Sequence, residues 1–188
     1  MTSRLREIKD DEVERLRVWR NYPEVRKNMY TRHEIGAEEH RAWWRRVKNS
    51  KSDIYRIFES NNKAIGVVAF TQIDRINKNA TWAFYLSSEI RGQTGEGAQM
   101  EFAAIDFAFK TLELHKLSCE VFAFNKSVIS LHKKFGFSIE GIFRENHLYD
   151  GVFIDVVRMA LFSSQWHTKR DSMQMRLAKI DSRQERLE

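Results

Sequence analysis

The chain has 188 residues, 42% of them apolar, with a net charge of +6 and a pI near 9.5. That length and composition suit one globular domain with its own core. A single cysteine, Cys119, excludes a disulfide framework within the chain and a zinc site built on cysteine pairs. The first strand is read in "LREIK". A helix follows over "DDEVERLRVWRN", with Asp10 or Asp11 as N-cap and acids in its first turn, and Pro23 stops it. "GAEEHRAWWRRVKN" reads as a second helix. Three β-rich runs come next, "SDIYRIFES", "KAIGVVAFTQ" and "NATWAFYLS", separated by turn residues. "GAQMEFAAIDFAFKTLEL" is apolar on most sides and is expected to be a long buried helix. "HKLSCEVFAF" is a strand, "NKSVISLHKKFGF" a short helix ending at Gly136, and "FSIEGIFRE" with "VFIDVVRMALF" a closing strand pair around "YDG".

The expected fold is therefore α/β, with a mixed, mostly antiparallel sheet flanked by helices. One parallel pair is implied, because the long helix must cross between "WAFYLS" and "LSCEVFAF". Residues 1–162 are assigned to the domain. Residues 163–188 are polar and charged, and are read as a solvated tail rather than as a marginal amphipathic helix built on Met173, Leu177 and Ile180. A dimer contact is the rival use of that segment. The opening "MTSRLREIKDDE" has no apolar signal segment and the longest apolar runs are too short to span a bilayer, so a cytoplasmic chain is expected. The basic balance favours acidic partners. Without zinc-finger, RNA-recognition or regular basic–aromatic patterns, neither nucleic acid nor membrane is expected among them.

"RGQTGEGA", residues 91 to 98, places three glycines between a strand and a helix. A nucleotide-triphosphatase loop would end in Gly-Lys-Ser/Thr, but Ala98 and Gln99 follow Gly97. A dinucleotide fingerprint would need the reverse glycine order in an opening βαβ unit. Two readings remain level on the loop alone: phosphate binding by freed backbone N–H groups at a helix N-terminus, and a tight turn that uses glycine for φ > 0.

A second stretch breaks the tie. In "NKSVISLHKKFGF", Asn125 and His132 are seven apart and share a helix face, while Leu131 and Phe135 face the core. The glycine loop followed by this motif resembles the GCN5-related N-acetyltransferases over roughly residues 4–162. In that family the loop holds the pyrophosphate of coenzyme A. The resemblance implies acetyl-CoA as acetyl donor, with no metal. It implies Arg91, Gly92, Gly95, Gly97 and Ala98 at the phosphates, Asn125 on the pantetheine amides, and Ser127 and Lys134 within reach of polar groups of the cofactor. It also implies that a backbone N–H near Tyr85 or Leu86 polarises the thioester. Two positions depart from the family. The loop is read as one residue longer, which displaces Arg91, and His132 stands where a tyrosine usually protonates the leaving thiolate. A histidine near its ordinary pKa of about 6.5 is able to do the same. Glu120 is the first choice for the base, with Glu34, His33, His40 or a water chain as alternatives.

The acceptor is sought in "VWRNYPEVRKNMYTRHEIGAEEHRAWW", where arginines, aromatics and histidines suit phosphates and a base to stack. This stretch and the second half of the chain are similar to the UDP-amino-sugar N-acetyltransferases of pseudaminic acid biosynthesis. That likeness implies Arg20 and His40 at the nucleotide, Thr71 and Tyr85 near the sugar, and acetylation of the 4-amino group of a UDP-linked 4-amino-4,6-dideoxy sugar. Protein N-terminal acetyltransferases of the ribosomal-protein type and polyamine acetyltransferases share the core and remain alternatives. A non-enzymatic CoA-binding regulator is the alternative from another class, and a homodimer is an open possibility.

Overall fold

A computed structural model describes residues 3–88 and 95–184, without the side chains of 181–184. The elements in chain order are β1 (Ser3–Arg6), α1 (Val13–Asn21), α2 (Pro23–Arg26), α3 (Ala37–Val47), β2 (Ile54–Ser60), β3 (Lys63–Asp74), β4 (Asn79–Leu86), α4 (Glu96–Asp106), β5 (Lys116–Phe122), α5 (Lys126–Phe135), β6 (Ser138–Tyr149), β7 (Val152–Phe162) and α6 (Ser163–Gln184). The strands form one seven-stranded sheet in the order β1-β2-β3-β4-β5-β7-β6. Every pairing is antiparallel except β4 with β5. This is the mixed sheet with one parallel pair that the order of elements implies, with α4 as the crossover.

Strand alternation distributes the core over two faces. Phe58, Val68, Phe70 and Trp82 point to one face and meet Met100, Ala104 and Ile105 of α4 and Phe135 of α5. Their strand neighbours Ile57 and Val67 point the other way and meet Val13, Leu16 and Trp19 of α1. Gly66 allows a close approach on β3. An added Cβ there would lie 2.7 Å from the Tyr85 carbonyl oxygen and 2.6 Å from the Met100 side chain. The hairpin between β6 and β7 turns on Asp150 (φ 49°) and Gly151 (φ 83°), both left-handed, as a two-residue turn matched to strand twist requires.

Three local expectations are corrected. Pro23 does stop α1, with Tyr22 held extended (φ −57°, ψ 133°) before it, but it also starts α2 from the first helical position. The long helix is α-helical only to Asp106 and ends in a π-helical turn, Phe107–Thr111. Residues 163–184 are not a solvated tail. They form α6, whose Trp166 is fully buried and donates its indole N–H to Asp106 at 2.8 Å. Arg170, one turn on, donates to the same carboxylate, and Met173 completes the buried face. Among the described residues, no helix is long and apolar enough to cross a membrane.

Candidate active site

Parallel strands β4 and β5 pair over only three residues: Asn79 with Lys116, Ala80 with Leu117, and Thr81 with Ser118. Beyond them the strands part. Among the described residues, the peptide groups of Trp82–Leu86 that point toward β5 therefore have no strand to pair with. The gap is a slot of about 430 Å³ lined by Trp82–Ser88 of β4 and its end, and by Cys119–Phe122 of β5. Asn125, Val128 and His132 of α5 contribute to its wall, with Glu24, Val25, Asn28 and Met29 of the α2 segment.

Local sequence sets these groups in place. Asn125 caps α5, its Oδ1 accepting from the Val128 N–H at 3.3 Å and from the Ser127 hydroxyl at 3.0 Å. Its Nδ2 donates to Asn28 Oδ1 at 3.1 Å, so the α2 segment is tied to the head of α5. Gly136 ends α5 at φ 105°, and the Phe137 N–H closes on the His132 carbonyl at 3.0 Å. That termination brings the Phe137 ring to 5.2 Å from the His132 imidazole. Gly95 precedes α4 at φ 98°, a left-handed position that calls for glycine. Gly97 carries no such demand. A Cβ there would meet Leu86 and Leu131 at ordinary contact, 3.9 and 4.0 Å. Ala98 packs against the core. Arg91 and Gly92 lie outside the described residues.

His132 is buried (2% exposed) and lines the slot. Its Nδ1 lies 2.9 Å from Oε1 of Glu101, a wholly buried residue of α4. Burial disfavours the charged imidazole, yet the bonds to Cys119 and Glu101 outweigh it and hold the pKa up at about 10. The expectation of a histidine near its ordinary pKa is thereby corrected: its pKa is raised. Burial also pushes the Glu101 carboxyl up, against the pull of His132. Glu101 was not foreseen. Its signal was a carboxylate in the middle of the apolar face of α4, between Met100 and Ala104, where an unpaired acid is not tolerated.

A second cavity, of about 540 Å³, opens on the other face of the sheet. It is lined by Arg20, Thr31, Ile35, His40, Trp43, Arg46, Tyr55, Val67 and Tyr85, with Glu39 as its one acid. Arg20 donates Nη2 to the Thr31 carbonyl at 2.8 Å, while its buried Nη1 has no partner among the described residues, and neither does Nδ1 of His40. Burial lowers the pKa of both, that of His40 to about 4, so His40 is neutral at pH 7. The His40 ring lies 4.7 Å from Trp43, and Trp43 meets Tyr55 edge-on at 4.9 Å. Tyr85 lines both cavities and stands between them. Arg20, His40 and Tyr85 are thus brought together as expected, while Trp43, Arg46 and Tyr55 had not been singled out.

Other expected residues fall elsewhere. Thr71 is four residues along β3 from Val67, roughly 13 Å away at strand rise, and does not line the second cavity. Glu120 lines the slot, but Oε1 accepts from Arg158 at 2.7 Å and Oε2 from the Tyr30 hydroxyl at 2.6 Å. A carboxylate with both oxygens engaged and an arginine neutralising it is a latch for the Tyr30 segment, and a poor free base. His33 is exposed and paired with Glu39 at 2.9 Å, Glu34 is exposed, and neither lines the slot. Lys134 is exposed on α5. No cluster able to hold a metal is found among the described residues.

The spermidine N(1)-acetyltransferase of Escherichia coli (strain K12) is 27% identical over 110 residues, 58% of this chain and 59% of that protein. The chain thus spans under two thirds of that relative's length. Acetyltransferase PseH of Campylobacter jejuni (serotype O:23/36, strain 81-176) is 27% identical over 133 residues, 71% of this chain and 81% of that one. Among solved structures, the spermidine N-acetyltransferase of Vibrio cholerae in complex with CoA and spermine superposes with a TM-score of 0.81 at 22% identity, covering 87% of this chain and 97% of that one, a likeness of fold. The family model for the acetyltransferase (GNAT) domain matches residues 3–138. With the open β4–β5 slot and the Asn125–His132 face beside it, the match settles the family: the chain belongs to the GNAT acetyltransferases.

Proposed function

We propose that this protein moves an acetyl group from acetyl-CoA to an amine of a nucleotide-linked amino sugar, of the UDP-4-amino-4,6-dideoxy type met in pseudaminic acid biosynthesis. The observation that carries the acceptor is the second cavity. Its half-buried cation, Arg20, has an unpartnered Nη1, Arg46 adds a second guanidinium, and Trp43 and Tyr55 offer ring surfaces. Such a set suits phosphate oxygens and a stacked base. A polyamine would meet two guanidinium groups and one acid, Glu39, which His33 already engages. The likeness to the spermidine enzymes keeps polyamines as the rival acceptor.

The slot fits the donor. Asn125 supplies amide-binding groups at its wall, once its bond to Asn28 is exchanged, and Gly95 opens α4 at a helix N-terminus, an arrangement that suits phosphate. The unpaired peptide groups of β4 near Tyr85 and Leu86 polarise the thioester carbonyl. The amine, entering from the second cavity past Tyr85, attacks that carbonyl, and His132 protonates the departing thiolate. Thiol release from acetyl-CoA tests the proposal with three acceptors: a UDP-4-amino-sugar, spermidine, and peptides beginning with Ser or Ala. Release with the UDP-sugar alone is expected. Release with spermidine or peptide, and none with the sugar, would overturn the acceptor assignment. CoA binding without acetylation of any amine would favour a non-catalytic regulator.

A further inference from the structure

His132 needs more than its place on α5 to act as an acid. The titratable groups that face it are Glu101 from α4 and Cys119 from β5. From β4 and the turn into β6 it meets only rings, Trp82 at 5.3 Å, Phe84 at 6.0 Å and Phe137 at 5.2 Å. Glu101 is 0% exposed, and its Oε2 has no partner among the described residues. A carboxyl in that position is tolerated only protonated or beside a compensating charge. With two protons shared between them, the Glu101–His132 pair is neutral overall, and the ring nitrogen not held by Glu101 carries a hydrogen. Loss of that proton leaves a net negative charge sealed in the core.

We propose that Glu101 is the positioning residue of the reaction, fixing His132 Nδ1 toward α4 by the 2.9 Å bond and so leaving the other ring nitrogen to serve the slot as a proton donor. The inference rests on the acetyl-transfer reading above but not on the identity of the acceptor. The proton passes from His132 to the sulfur of the leaving thiolate. The buried negative charge left behind then draws a proton back, and the ammonium formed when the amine attacks supplies it. Protons balance over the cycle: one leaves with the thiol and one returns from the amine. Glu101 itself touches neither reactant.

The test begins with the wild-type protein, labelled at its histidine ring nitrogens and titrated by NMR. His132 is expected to remain protonated well above the range of a free histidine, with its Nδ1 proton in a strong hydrogen bond. A His132 that titrates at or below the ordinary value overturns the proposal, whatever the acceptor proves to be. The second arm is Glu101→Gln, with fold checked by its NMR spectrum and activity read as thiol release on any working acceptor. The expected loss is about a hundredfold in kcat, with KM for acetyl-CoA kept. The alkaline limb of the pH–rate profile should move down by about three pH units, because a buried histidine without its carboxylate falls below its reference value. A folded Gln variant whose profile stays in place, or whose loss lies wholly in KM, contradicts the positioning role. Failure of the acetyl-transfer reading is distinguishable, since it silences wild type and variant alike and leaves the ring titration intact.

Discussion

Two buried histidines lie on opposite faces of the sheet, and their surroundings differ. His132, beside the slot, is hydrogen-bonded to Glu101 of α4, and its pKa is held up. His40, in the second cavity, is also buried, yet its Nδ1 has no partner among the described residues, and burial holds it neutral. Burial alone lowers the pKa of a histidine, so the difference lies in the carboxylate and thiol around the first ring. A buried polar group that is satisfied from within belongs to the machinery. On the proposed function, one that is left open beside an arginine with an unpartnered Nη1 belongs to recognition.

The comparison breaks most sharply under mutation. His132→Ala should lower kcat about a hundredfold or more while leaving KM for the acceptor in place, as for loss of a general acid. Arg20→Ala should do the reverse. A charge-assisted bond to phosphate is worth roughly 1.5–3 kcal/mol, so acceptor KM should rise about ten- to hundredfold with kcat nearly kept. Steady-state kinetics with both substrates varied checks the pair, and an exchange of the two patterns would refute the division.

Stability against pH sharpens it further, because the two rings must act in opposite windows. His132 has its folded pKa raised to about 10, so its stabilisation is complete below about 6.5 and is lost as pH rises toward 10. His40 has its folded pKa lowered to about 4, so stability falls as pH drops from about 6.5 toward 4. For His40 the loss should be on the order of 2 kcal/mol, less than the full shift implies because the cavity opens to water. Denaturant melts of His40→Gln and His132→Gln across pH should each flatten one side of the profile only. The smallest expected effect is that of Asn28→Ala, which removes the 3.1 Å bond to Asn125. It should change KM for acetyl-CoA by less than about fivefold and leave the acceptor side untouched.

Much of this was legible in the chain because it depends on local rules. Period-two runs with turn residues between them gave the strands, and the helix crossing between "WAFYLS" and "LSCEVFAF" required the parallel pair, which the structure has. The Asn125–His132 spacing placed both at one wall of the slot. What failed to show depends on partners distant in sequence. Glu101 and His132 are 31 residues apart, and nothing local to either announces the other. Glu120 was the first choice for the base, and its partners Tyr30 and Arg158 lie 90 and 38 residues away, out of reach of any local pattern. The polar composition after Phe162 concealed α6, since a few buried residues, Trp166 and Met173 among them, were enough to dock it once Asp106 answered the indole and Arg170. Thr71 was carried over by likeness, and strand rise takes it out of the cavity.

The measurement that meets the central claim most directly is a single set of histidine ring spectra, recorded on the free protein, with CoA, and with UDP. The account predicts that CoA moves the His132 resonances and leaves those of His40, while UDP moves His40 and leaves His132. If UDP moves neither ring, or if one ligand moves both alike, the assignment of the two cavities to donor and acceptor is wrong.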